Sequence, residues 1–273
     1  MAAAAKSKKG GGIGEVISIL VQALLLALVI RTVLYQPFSI PSGSMKPTLL
    51  ISDYLFVSKF SYGYSRHSFP FGLVPFDGRI WSGEPERGDV AVFKYPRDNR
   101  TDYIKRVIGL PGDRIQVREG LIYINDVPIE RERIEDFIDP GAINAPVHQY
   151  IETLPNGVSY NVLDLVDNSI GDNTQVFEVP DGHYFMMGDN RDNSQDSRAL
   201  NRVGYVPFEN LIGRADVIWF SFDRNAELPM WMRSCVNNAE PGTEACVPSQ
   251  SQILQIWTWP WTIRWERLFD GVG

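Results

Sequence analysis

The sequence predicts a mainly β body of coiled antiparallel sheets, with a smaller β subdomain inserted, on a single N-terminal transmembrane helix. Three observations lead there. The run from Ile13 to Tyr35 is predominantly apolar, and about 20 helical residues suffice to cross a bilayer. Beyond it, short segments of β-branched and aromatic residues recur between glycine, proline and asparagine turns, with no long amphipathic helix pattern among them. Between Ile129 and Gly171 acids and arginines crowd together and give way to proline and glycine punctuation, as an insertion would.

Residues 1–11 read as a cytoplasmic tail, because Lys6, Lys8 and Lys9 precede the apolar run. Residues 12–35 are the anchor, interrupted only by Glu15, Gln22 and Arg31, the last near enough to one end to snorkel. A cleaved signal peptide is disfavoured: the run is long for one, and no small-x-small pair follows it before Gln36-Pro37. Everything after Tyr35 is therefore expected outside the cytoplasm.

Residues 36–128 form the first part of the body. Ile40 to Leu49 reads I-P-S-G-S-M-K-P-T-L, a turn in which Gly43 permits a bend and two prolines fix their own φ. Such a turn can hold a serine hydroxyl away from ordinary pairing. Strands are predicted over Ser52–Phe60 and Thr101–Gly109, with Arg87–Tyr95 between them a turn leading into a strand, then a hairpin over Ile115–Val117 and Leu121–Ile124 around Glu119-Gly120. Ser61 to Gly83 is an aromatic, glycine-rich loop whose Trp81 and phenylalanines cover the core or touch lipid headgroups.

Residues 129–174 form the insert, with modest strands near Gln149–Glu152 and Tyr160–Leu165. Residues 175–223 resume the body, through Val176–Val179, His183–Met187 and Leu211–Phe222. Residues 224–273 are an extension holding Cys235, Cys246 and a cluster of Trp257, Trp259, Trp261 and Trp265, which either lies on lipid or packs on the body.

Composition excludes several functions. A net charge of -7 argues against nucleic-acid binding. The two cysteines lack metal-site spacing, and export of their segment makes a Cys235–Cys246 disulfide the natural expectation. The only histidines, His67, His148 and His183, form no H-E-x-x-H pattern. The run Asp189, Asn190, Asp192, Asn193, Asp196 misses the calcium-loop spacing and has Arg191 where an oxygen ligand is needed. No metal and no cofactor are expected. Nor is there a G-x-S-x-G elbow, and S-x-x-K is absent at both serines of the turn.

A serine served by a distant lysine remains. Lys46, Lys94 and Lys105 are the candidates, and spacing does not choose among them, although Lys46 is too near Ser44 in sequence to approach its hydroxyl easily. On a strand, Tyr103, Lys105 and Val107 share one face, where apolar neighbours would strip water from the amine and lower its pKa.

Four separated blocks decide the reading: Pro41–Leu49 (P-S-G-S-M-K-P-T-L), Arg87–Phe93 (R-G-D-V-A-V-F), Asp102–Asp113 (D-Y-I-K-R-V-I-G-L-P-G-D) and Gly188–Arg198 (G-D-N-R-D-N-S-Q-D-S-R). Their order and content resemble bacterial type I signal peptidase, a membrane-bound serine protease that removes signal peptides after Ala-x-Ala sites. The likeness spans roughly Tyr35 to Phe222. It implies Ser44 as nucleophile, Lys105 as general base, Ser42 with the Ser44 N–H as oxyanion hole, and Ser194 as the hydroxyl orienting the lysine. Asp196 and Arg198 match supporting polar residues, and Phe38, Ile40, Leu49, Val92, Tyr103 and Ile104 match the shallow substrate pockets. The partners it implies are signal peptides, the bilayer of the bacterial cytoplasmic membrane and a neighbouring secretion translocon.

Two other classes stay in view. A narrow-client serine–lysine protease of a conjugation pilus would fail to cleave Ala-x-Ala preproteins broadly. A catalytically silent anchored scaffold would not react with a serine-acylating probe.

Overall fold

In the computed structural model, which describes residues 13–68, 78–139, 146–223, 226 and 259–272, the apolar run is helical. Helix α1 (Ile13–Val29) continues into a π-helical turn over Ile30–Leu34, and none of these residues is buried. Ile13–Leu34 is long and apolar enough to cross a membrane. A helix apolar all round needs an apolar solvent, which the bilayer supplies.

The turn runs directly into β1 (Tyr35–Ser39), which pairs antiparallel with β2 (Asp53–Ser58). The sequence reading had no strand here, because Pro37 interrupts the pattern. β1 is an edge strand, the one place in a sheet where a missing N–H is tolerated.

Further along lie β3 (Val90–Lys94), β4 (Asp102–Gly109), β5 (Arg114–Arg118), β6 (Leu121–Ile124) and β7 (Val127–Pro128). The segment after Ile129 contributes β8 (Glu130–Arg133), β9 (Phe137–Ile138), β10 (Pro146–Thr153) and β11 (Ser159–Asp164). Then come β12 (Phe177–Glu178), β13 (His183–Met187), β14 (Val206–Pro207), β15 (Leu211–Ser221), the short helix α2 (Trp259–Thr262) and β16 (Asp270–Gly271).

The large sheet has the order β1-β2-β15-β3-β4-β13-β14, with β16 on β15, and all its pairings are antiparallel. Register shifts along β15 and β13 bend it, as bulges do, and the sheet curls. A second sheet, β12-β5-β6-β7, packs beside a third, β11-β10-β8 with β9 on β10. The hairpin after Asp113 thus belongs to the second sheet and not to the large one.

Both faces of the large sheet are covered. Val90 and Val92 join Ile40, Met45, Leu49, Leu55 and Val57 in one cluster, while Ala91 and Phe93 join Tyr62, Val107, Tyr184 and Met186 in another. This is why β3 and β13 read as continuous apolar runs in sequence. A third cluster joins Ile115, Val117, Ile122, Leu154, Tyr160, Val162 and Phe185, so all three sheets share it.

Strand β8, Glu-Arg-Glu-Arg, has no apolar alternation and escaped the sequence reading. It sits at a sheet edge on β10, with Arg131 stacked 3.8 Å over the Tyr150 ring and bonded to Asp164 at 2.7 Å. At the C-terminal end, Thr262 and Ile263 are buried and Arg267 donates to Asp53 at 2.6 Å, while Trp261 and Trp265 face outward. Cys235, Cys246 and Trp257 lie outside the described residues, as do Phe69 to Phe76.

Candidate active site

Ser44 lies in the tight turn between β1 and β2. Lys46 N donates to Gly43 O at 3.2 Å and Leu49 N to Met45 O at 2.9 Å, while the fully buried Met45 and Leu49 side chains root the turn in the core. The block after β13 clamps it from the other side. Asn190 N donates to Ser44 O at 3.1 Å, and Asn190 Nδ2 donates to Gly43 O at 3.0 Å.

Strand β4 carries Lys105 into the same place. Its Nζ lies 2.5 Å from Ser44 Oγ, and the residue is only 3% exposed. Burial pushes the amine down from the ordinary lysine range to about 8. Asp196 and Asp189 pull it back up, while Arg198 opposes them. The other two lysines are engaged elsewhere: Lys46 pairs with Asp139 at 2.5 Å, and Lys94 with Asp102 at 2.7 Å.

Ser42 Oγ lies 3.5 Å from Ser44 Oγ. Ser194 is in the wall of the same cavity, its Oγ buried and without a hydrogen bond to the Lys105 amine. It lies against Gly188, where a β-carbon would fall 2.2 Å from Ser194 Oγ and 2.6 Å from Ser44 O. Only glycine allows the chain through at that point.

Asp196 is buried yet stays ionised below the usual carboxylate range. Burial opposes this, and the Arg198 charge, two Arg198 bonds at 2.9 Å and the Gly188 N–H at 3.1 Å outweigh it.

The cavity, of about 490 Å³, is lined by Pro41, Ser42, Ser44, Asp102, Tyr103, Ile104, Lys105 and residues 192–195. Of the six pocket positions expected from sequence, Tyr103 and Ile104 line it. Ile40, Leu49 and Val92 are buried in the adjoining apolar cluster, with Phe38 packed on them.

Other residues of the site had no role in the sequence reading. Arg106, fully buried beside Lys105, makes a two-pronged bond to Asp189 at 2.9 and 2.7 Å, and Thr48 Oγ1 donates to the same carboxylate at 2.5 Å. An arginine flanked by Ile104, Val107 and Ile108 in a strand was the available signal, since such a charge is buried only with a partner. Glu152, in β10, was not legible at all. It is 0% exposed and grips Arg191 at 2.6 and 2.5 Å, with Tyr160 Oη donating to it at 3.0 Å. The third sheet is thereby bolted to the block that holds Ser44.

The chain matches the family model described as signal peptidase, peptidase S26, over residues 13–220. It is 48% identical over 206 residues to signal peptidase I of Rickettsia typhi (strain ATCC VR-144 / Wilmington), covering 72% of this chain and 76% of that protein. Signal peptidase I of Rickettsia prowazekii (strain Madrid E) is 47% identical over the same shares. The crystal structure of a signal peptidase I from Enterococcus faecalis V583 is 29% identical, with a TM-score of 0.30 over 48% of this chain and 96% of that one. With its membrane helix, β body and matched blocks, the chain belongs to the bacterial type I signal peptidase family.

Proposed function

We propose that Ser44 is the nucleophile and Lys105 the general base of this peptidase. The observation that carries the assignment is the 2.5 Å separation of Lys105 Nζ from Ser44 Oγ, with the amine buried. Membership of the family and the N-terminal span make the protein a membrane-bound serine endopeptidase that cleaves signal peptides. It is a single-pass protein of the bacterial cytoplasmic membrane, with its catalytic body on the outer face.

Neutral Lys105 takes the Ser44 hydroxyl proton as Oγ bonds to the scissile carbonyl carbon. The carbonyl oxygen becomes an oxyanion, which the Ser44 N–H and the Ser42 hydroxyl stabilise. On collapse the C–N bond breaks, and the Lys105 ammonium gives its proton to the departing amine. The signal peptide is left as an ester on Ser44. Lys105, neutral again, takes a proton from water as the water oxygen bonds to the ester carbon. When the C–O bond to Ser44 breaks, the Lys105 ammonium returns that proton to Ser44 Oγ, and the signal peptide leaves with a free C-terminal carboxyl group. Asp196 and Arg198 hold the surrounding charge, and Ser194 orients the amine during turnover. Tyr103, Ile104, Phe38, Ile40, Leu49 and Val92 shape the small-residue pockets. The secretion translocon, from which preproteins emerge, is the expected neighbour.

A serine-acylating probe tests the assignment. It should label Ser44, as mapped by peptide mass spectrometry, and Lys105→Ala should lose the label while remaining folded. Labelling of another serine, or unchanged labelling in Lys105→Ala, would refute it.

A further inference from the structure

We infer that a second cavity, of about 900 Å³, receives an apolar side chain from the mature side of the substrate, just after the cleaved bond. This rests on the Ser44–Lys105 reading, because it follows from where the leaving amine must be. A base that returns its proton to the departing nitrogen sits beside it, so the chain leaves the catalytic cavity on the Lys105 side. Two residues, Asp192 and Ser194, line both cavities. The ridge they form is thus the boundary that a chain leaving the catalytic centre would cross.

What lies beyond the ridge has the chemistry of an aliphatic subsite. Its walls carry Val166, Ile170 and Leu200, with Phe177 buried beneath. Those three aliphatic side chains are 60%, 102% and 40% exposed, which costs free energy unless something covers them. The wall is firmly placed: Asp192 Oδ2 accepts the Leu165 and Val166 N–H groups at 2.8 and 3.0 Å, and Arg198 packs under Gly171. A volume in this range suits a small ligand or several peptide residues.

The test uses the full-length enzyme in detergent and fluorogenic peptides sharing one Ala-x-Ala sequence. A leucine is moved through the first four positions after the cut, and serine fills the others. At one of these positions leucine should raise kcat/KM about tenfold over the all-serine peptide, the lower end for an aliphatic group in an apolar pocket. Leu200→Ser and Ile170→Ser, each at an exposed site, should reduce that ratio to about twofold. No leucine preference at any position, or a preference unchanged in both variants, overturns the subsite. Loss of all-serine peptide cleavage in Lys105→Ala, with Leu200→Ser and Ile170→Ser still cleaving it, tests the catalytic assignment separately, so the two readings fail in different measurements.

Discussion

The carbonyl of Ser44 accepts the Asn190 amide at 3.1 Å, so the Ser44 peptide is fastened to the block bearing Asp196 and Arg198. Asn190 in turn forms a parallel bridge with Leu163 of β11, and Arg191 N donates to Leu163 O at 2.9 Å. The turn that carries Ser44 is therefore held through residues distant in sequence, down to the third sheet. A displacement of about 1 Å in such an arrangement costs on the order of a hundredfold in rate.

Lysine variants separate the candidates. Lys105→Ala and Lys105→Arg should each abolish cleavage of an Ala-x-Ala preprotein, arginine because its guanidinium stays protonated. Lys46→Ala and Lys94→Ala should keep most of the activity. Their amines face Asp139 and Asp102. Rates of purified, folded variants decide it, and parental activity in Lys105→Ala would end the assignment.

Acidification should switch the enzyme off. Only the neutral amine accepts the serine proton, so log kcat/KM should rise with unit slope as pH increases and level off near 8, where burial has placed Lys105. A limb centred near 10 would mean that the amine is solvated when it works.

The same buried amine should cost stability. Its folded pKa lies below the unfolded value, so below about 8 protonation favours unfolding, and the penalty fades as pH rises from about 8 towards 10.5. Lys105→Met should therefore be inactive yet more stable at pH 7, by up to about 3 kcal/mol for the whole shift. That gain should shrink on raising the pH to 10. Denaturant titrations of the detergent-solubilised protein at the two pH values measure it, and a pH-independent difference would count against it.

Gly188→Ala should fold and fail. The added carbon would sit 2.6 Å from Ser44 O, a backbone atom, and 2.2 Å from Ser194 Oγ. Overpacking of this kind costs about 1–3 kcal/mol in stability. Displacement of Ser44 should lower kcat by at least about a hundredfold. Activity within a few fold of parental would show that the turn yields freely.

Glu152→Gln leaves the buried Arg191 guanidinium without its counter-charge and should destabilise the protein by about 3–5 kcal/mol. Replacing both together, Glu152→Leu with Arg191→Met, should recover most of that loss, because no charge is then buried alone. Melting temperatures of the single and double variants give the comparison. Equal losses in both would place the importance of Glu152 elsewhere.

The span, most of the long strands and the four blocks were legible in the sequence, because each is local. A helix or strand announces itself through the spacing of apolar residues along one segment, and Tyr103 to Ile108 alternate as a strand should. Elements without that spacing were not legible. β1 contains Pro37 and β8 is wholly charged, and both exist because a partner strand offers its edge.

Proximity to Ser44 was likewise beyond sequence. Lys46 is two residues away and turns to Asp139, whereas Lys105, 61 residues on, comes within 2.5 Å. Glu152 shows the same limit: nothing local distinguishes it from the exposed glutamates of β8, yet its burial against Arg191 depends on β10 meeting the block after β13. Local periodicity specifies which face of a strand a side chain takes. Which side chain from another strand it meets is set by the curl and packing of the sheets, where burial is shared among segments far apart in the chain.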